Sequence, residues 1–534
     1  GLLSGIELPR SPFRAAGNVT VGNDDALHLS RGQVTVGDST ATLSLDLGLP
    51  FDASFLRFDV EAAVPDPMKL FVGVGGAQSL GSNLHISAAG QRLGEQWSFD
   101  RLRIGSDIGL INVRGAITLL PEFSAQNAQF EMNTPSLRRT GLASSHRWPD
   151  VALQLAGRIT TTRHEVLISE LSGRFGAGEF TGRVAARGSP DKPDYDVQLA
   201  FTRVDLDPML DRQLSAATPA PAATGKAGDA SRRVIPDKAL SLPPLNAFTG
   251  SINLRAQTLR LEGKEYHDLK LQSALKDGRL QLNSMEITGQ AGQLNMRGTL
   301  SARGNGMLVQ VSASGSNLAL RPVPFGPAGP GEAAQFAANA DLQAAGGTLR
   351  ELAATLNGRV RLVGRGGRVT NSLLSNGSNS FRIQLLRTLN PMATRQPTTD
   401  VDCAVYLLRV RDGIVTTDPT LVLRTREVNI VSVGSVDLHT ERIDFNFKNT
   451  ARTGLGFGLM ELVNPYVKVT GTLASPGLTL DPTGALVNGG AAFATAGLSV
   501  VATTLWDRFV QSGDPCAAAV AEFDRRALGQ QGAR

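Results

Sequence analysis

Few residues of this chain have the type and spacing that chemistry needs. The six histidines, His28, His85, His146, His164, His267 and His439, stand far apart. His164 precedes Glu165, but no second histidine follows one helical turn later. The zinc-protease pattern, two imidazoles sharing one helix face around a metal, is therefore not formed. No Gly-x-Ser-x-Gly elbow and no Walker A loop occurs. Gly454, Gly456 and Gly458 resemble a phosphate loop but lack the Lys-Ser/Thr that would reach the phosphates, so they read as a hairpin or loop. Carboxylates are plentiful and no pair stands out. A pair assembled from distant strands, as in polysaccharide-cleaving β-helices, stays open at this point. No catalytic residue, metal ligand set or cofactor is expected, and the chain reads as a non-enzyme.

The two cysteines, Cys403 and Cys516, form no CxxC pattern, which argues against a zinc site. Two readings remain for them. They form one disulfide tying the last helix to a sheet, or they are two buried thiols.

The elements around these residues are more informative. One phrase repeats: Leu171-Ser172-Gly173, a glycine turn, then Phe180-Thr181-Gly182. It returns as Ile287-Thr288-Gly289, then Leu294-Asn295-Met296-Arg297-Gly298. Looser copies lie at Leu102–Ile117 and Ile430–Val436. Imperfect repetition of one small β unit predicts a long, open, repetitive sheet with one apolar face. Composition agrees: 41% hydrophobic but only 5% aromatic residues, with 58 glycines, suits many short strands and an aliphatic core. The net charge of +5 is scattered, with no Lys/Arg block and no aromatic-basic interleaving, so no nucleic-acid partner is expected. The basic balance suits anionic headgroups or an ordinary soluble surface.

Apolar and polar residues alternate over most of residues 1–215 and again over 246–480, as half-buried antiparallel strands do. Between them, 216–245 is an Ala/Pro/Gly stretch expected to lack order. Phe381, Leu385 and Leu389 recur at a spacing of four before Pro391, predicting an amphipathic helix near 380–389. Residues 481–534 are expected to form a helical cap, with Asp514-Pro515-Cys516 opening its last helix. The charge-free run between Pro482 and Asp507 is long enough to span a bilayer but weakly hydrophobic, so a helix over the sheet end is the better expectation. The first residues read as interior β structure without a leader, which suggests the downstream part of a longer protein.

Alternate side chains of many strands must then point to one side. Either a second layer covers that side, or the sheet curves into a trough with an apolar lining. Periodicity does not decide between them. Leu280, Leu282, Leu294, Met296, Val360, Leu362, Phe445 and Phe447 are the residues expected to line such a trough, although a one-residue slip would invert the face.

From about Ala340 onward the sequence resembles the C-terminal region of the AsmA family of Gram-negative envelope proteins. The resemblance rests on Gly347–Leu352 with Leu356–Val360, on Cys403–Gly413, on Gly434–Leu438 with Ile443–Phe445, and on Val469–Leu473 with Pro476. Leu505-Trp506-Asp507-Arg508 and Asp514–Cys516 extend it. The resemblance implies a taco-shaped repeating β-groove related to eukaryotic bridge-like lipid-transfer proteins. It implies phospholipids as cargo, the periplasm as location and an inner-membrane anchor formed by an N-terminal helix. It further implies support of outer-membrane integrity through contacts with the inner or outer membrane, and no catalytic residues. An envelope scaffold working through protein partners is the alternative.

Overall fold

The structure, a computed structural model, describes residues 12–22, 26–48, 55–70, 81–118, 124–140, 150–189, 192–207, 233–240, 245–261, 264–289, 292–304, 306–320, 334–370, 381–389, 398–452, 466–480, 509 and 513–531. The glycine run at 454–458 and the charge-free stretch after Pro482 lie outside them. Among the described residues, no helix is long and apolar enough to cross a membrane.

The protein is mainly β, and 25 strands belong to one hydrogen-bonded sheet. The chain divides into two compact units, one of residues 1–221 and 247–272, the other of 222–246 and 273–534. The first holds β1 (Phe13–Val21), β2 (Ala26–Val36), β3 (Ser39–Gly48), β4 (Phe55–Val64), β5 (Leu84–Leu93), β6 (Gln96–Ser106), β7 (Gly109–Thr118), β8 (Ser124–Thr134), β9 (Leu153–Thr162), β10 (Glu165–Phe175), β11 (Gly178–Ser189), β12 (Lys192–Asp205) and β13 (Thr249–Leu261). The division falls inside β14 (Lys264–Lys276). The second unit continues with β15 (Arg279–Gly289), β16 (Gly292–Arg303), β17 (Gly306–Leu320), β18 (Ala334–Gly346), β19 (Asn357–Thr370), β20 (Thr398–Arg411), β21 (Ile414–Thr425), β22 (Val428–Asp437), β23 (Arg442–Ala451), β24 (Tyr466–Thr472) and β25 (Pro476–Leu480). Among the described residues the helices are α1 (Pro67–Leu70), α2 (Leu349–Ala354), α3 (Phe381–Leu389) and α4 (Pro515–Gln531), with a 3₁₀ turn at Leu137–Thr140. β13 belongs to the first unit.

Among the described pairings successive strands run antiparallel, and many of them are joined by short turns. Asp277-Gly278 and Asp412-Gly413 both carry positive φ at two consecutive residues, the geometry of a two-residue hairpin turn. One pair breaks the rule. β12 and β13 run parallel, with Val197 opposite Ile252. Parallel neighbours cannot be joined by a tight turn, so the chain makes a crossover between them. Residues 216–245 lie in that crossover, and 233–240 are among the described ones. This segment is held on the second unit. The Glu441 carboxylate accepts the backbone N–H groups of Val234 and Ile235 at 2.7 and 2.9 Å. Arg350 donates to the Ile235 carbonyl and pairs with Asp237, both at 3.0 Å. Backbone donors that would otherwise go unpaired thus meet a carboxylate that is only 2% exposed.

The strands are not simple period-two ribbons. In β10 the register shifts between Ile168 and Leu171, where Glu170 has φ of 50°. Ile168 lies opposite Val184 and Leu171 opposite Gly182, so both face the same side although they are three positions apart. The inserted residue is a β-bulge, which bends the strand and restores the apolar face after an odd step. β17 repeats the device between Gly315 and Leu318 with Asn317 at φ 53°, and β15 shifts between Leu282 and Met285. Glycines also accommodate close neighbours. A Cβ on Gly364 would stand 2.6 Å from the Phe336 ring, so the aromatic ring fills the place of a missing side chain.

Candidate apolar face and its cover

Residues paired across antiparallel strands share a face, so one side of the sheet can be followed strand by strand. In the second unit, Leu294 lies opposite Gly315, Ala338 opposite Leu362, and Leu362 opposite Tyr406. The row continues through Leu421 and Ser432 to Phe447, Val467 and Leu480. A second row runs from Met296 through Ala313 and Ala340 to Val360 and Leu408. Leu280 and Leu282 join through Leu300 and Gly298. Phe445 joins through Gly434 and Val469. All eight residues singled out from alternation therefore stand on one face of the second unit. The paired positions of that face carry no charged side chain.

The face has two regions. Over β15 and β16 its side chains are half-buried: Leu280, Leu282, Leu294 and Met296 alternate with exposed Gln281, Asn283, Asn295 and Arg297. Over β20 to β25 it is closed. Leu385 and Leu389 of α3 pack with Phe336, Val401, Ala404, Leu423, Val428, Ile430, Val467 and Val469 in one core. Leu362, Phe445 and Phe447 border that core. The Asn449 side chain, 2% exposed, donates to the Leu389 carbonyl at 3.1 Å. Its Oδ1 has no partner.

The opposite side of the same strands is closed by α4. Val405, Leu407, Val422 and Val431 pack with Phe509, Cys516 and Ala519. Cys403 and Cys516 are joined by a disulfide, which consumes the sulfurs that could otherwise have bound a metal. Arg526 and Arg409 both pair with Asp418, a carboxylate 6% exposed, and Arg424 pairs with Asp514. The helix starts where Asp514 accepts the Ala517 N–H at 3.1 Å, just before Pro515.

In the first unit one face carries the aromatic cluster Phe58, Trp97 and Phe99 and the pair Phe180–Phe201. Among its described paired positions from β1 to β11, Arg92 is the single charge, and in β12 the alternation adds Arg203 and Asp205 beyond Phe201. Its guanidinium lies 5.4 Å over the Trp97 ring and donates to the Gly94 carbonyl, closing a hairpin at the rim. The other face is a ladder of cross-strand ion pairs: Arg101–Asp59, Arg158–Glu170, Arg174–Glu179, Arg183–Asp196 and Arg187–Glu165. Such exposed pairs contribute about 0–1 kcal/mol each, so they keep this side wet and in register more than they stabilise it. A cavity of about 910 Å³ opens among residues of this polar side, including Asn112, Glu131, Arg174, Glu179 and Arg255. Met132, Leu155, Phe180 and Phe201 share its lining with these polar and charged side chains.

The eight residues expected to line a trough share one face, and alternation carried no signal of the cover over part of it. Leu385 and Leu389 were legible as a helix stripe, but not their docking onto Phe445 and Phe447. Asn449 and Glu441 carried no sequence signal.

A family model described as the AsmA family matches residues 134–420. The match reaches upstream of Ala340 and ends before the motifs at Gly434–Phe445, Val469–Pro476 and Asp514–Cys516. Comparison with curated proteins finds no match.

Proposed function

The chain belongs to the AsmA family, a bacterial envelope family that is generally non-enzymatic, and on that premise we propose that its apolar sheet face carries phospholipid acyl chains. The observation that carries the reading is the uncharged face of β15 to β19, half-buried over β15 and β16 and continuous across paired strands. Burial is worth about 0.8 kcal/mol per CH₂, so an acyl chain gains several kcal/mol on such a face. The headgroup stays at the wet rim. Movement along the face needs a uniform lining without a deep polar trap, and Leu, Val, Met and Ala supply one. Lipid moves between the membranes in this reading, supporting the outer membrane, and the chain works in the periplasm. A disulfide between Cys403 and Cys516 suits that oxidising compartment.

The test is purification without detergent, followed by mass spectrometry of extracted lipid, for the parent protein and for Leu282→Asp. Phospholipid in several copies per chain is expected, with a large loss in the variant while circular dichroism is unchanged. Equal lipid in both would overturn the assignment of this face.

A scaffold acting through protein partners has one observation in its favour. Every residue of β1 is exposed, including Phe13 at 78%, and among the described residues the strand pairs only with β2. An open apolar edge accepts a further strand by β-augmentation. That reading predicts a bound protein and no retained lipid.

A further inference from the structure

β19 and β20 are hydrogen-bonded neighbours, with Thr370 opposite Thr398. A two-residue turn suffices to join such strands. The chain instead spends residues 371–397 there and lays α3 on the apolar face. The two helices that close this part of the sheet are held by different means. α4 is fixed by a disulfide and by ion pairs to Asp418 and Arg424. Among the described side chains of α3, Phe381, Leu385 and Leu389 pack on the apolar core, and Asn449 donates to the Leu389 carbonyl. Apolar contact is non-directional, and an acyl chain satisfies the same surface equally well. A helix as short as α3 is marginal by itself and depends on its docking site. Beneath it Asn449 Oδ1 is buried without a partner, a cost that is relieved when water or a polar headgroup reaches it.

From these observations we propose that α3 is a displaceable cover, occupying over β20 to β25 the place of acyl chains and leaving when lipid arrives. This rests on the lipid-carrying reading above. Closed, α3 separates the open stretch from the terminal strands. Open, it joins Val360 to Phe445 and Phe447 in one lipid-accessible face. α4 stays in place on the other side and keeps the sheet folded throughout.

The test uses the full chain with Leu389→Cys and Asn449→Cys, oxidised so that the two introduced thiols lock α3 down, with each single variant as control. Transfer of a fluorescent phospholipid between phosphatidylethanolamine/phosphatidylglycerol vesicles is read alongside lipid retained on Leu282's stretch of the face. The locked protein is expected to transfer at least about tenfold more slowly than either single variant while keeping lipid on the open stretch. In the single Leu389→Cys variant, alkylation of the introduced thiol is expected to speed up about tenfold when the vesicles are added. Lipid carried at parent levels with unchanged transfer in the locked form, or with unchanged alkylation, overturns the cover and makes α3 a fixed part of the core. A parent protein that binds no lipid at all overturns the lipid-carrying reading, and the cover with it.

Discussion

The apolar face of the second unit is written in the same residue types over β15–β16 and over β20–β25, yet the two stretches have different fates. Leu282, Leu294 and Met296 remain half-buried, whereas Val401, Val428 and Val467 are at most 2% exposed. The difference comes from what lies above the strands and not from the strands. One stretch has no helix packed on it among the described residues, and the other has α3 on one side and α4 on the other. A strand's own pattern specifies which side is apolar. It does not specify whether that side is core or surface.

This contrast can be broken or sharpened by substitution. Leu407→Asp places a charge at a position with no exposed surface, between β20 and α4. It is expected to cost more than about 4 kcal/mol and to leave little folded second unit, read by urea unfolding. The same change at Leu282 is expected to leave the fold intact. Replacing both Cys403 and Cys516 by Ser is expected to cost about 2–4 kcal/mol, since the bridge closes a separation of 113 residues. α4 should then become the first segment to exchange its amides, while lipid retention on β15–β16 stays unchanged. Leu389→Ala is expected to cost about 2–3 kcal/mol and Leu294→Ala about 1, because only the first removes packing from a closed core. Equal costs at the two sites would mean that the stretches are not different.

The smallest effect concerns the β22–β23 turn. Burial pushes the Asp437 carboxyl up, but Thr440 Oγ1 and the N–H groups of His439 and Thr440 donate to it and hold its pKa below the usual carboxylate range. A lowered folded-state pKa contributes stability above the unfolded value and loses it as pH falls through the folded one. Asp437→Asn should therefore be slightly less stable at neutral pH and lose part of the decline on acidification. Thermal melts at neutral and acid pH check this.

Much of the apolar face was legible. Runs such as Gly292–Leu300 and Ile443–Phe447 alternate without interruption, so each puts its side chains on one side whatever the neighbouring strands do. Legibility failed where the backbone departs from period two. Ile168 and Leu171 read as opposite faces until the bulge at Glu170 is known, and nothing in the residue type of a glutamate announces positive φ. The turn signals Asp277-Gly278 and Asp412-Gly413 were present and would have fixed two hairpins. The parallel pairing of β12 with β13 was not legible, because local alternation is the same in parallel and antiparallel strands. Nor was the docking of 233–240, which depends on the Glu441 carboxylate two hundred residues downstream.

The clamp on α4 also sets an order of events during synthesis. Cys516 leaves the ribosome long after Cys403, so the sheet surface made by Val405, Leu407, Val422 and Val431 waits bare until the last helix arrives. A chain broken off before residue 516 can neither cover that surface nor close the bridge. Docking of the last helix is thereby written into the oxidation state of Cys403, and a free thiol there marks a sheet surface still uncovered.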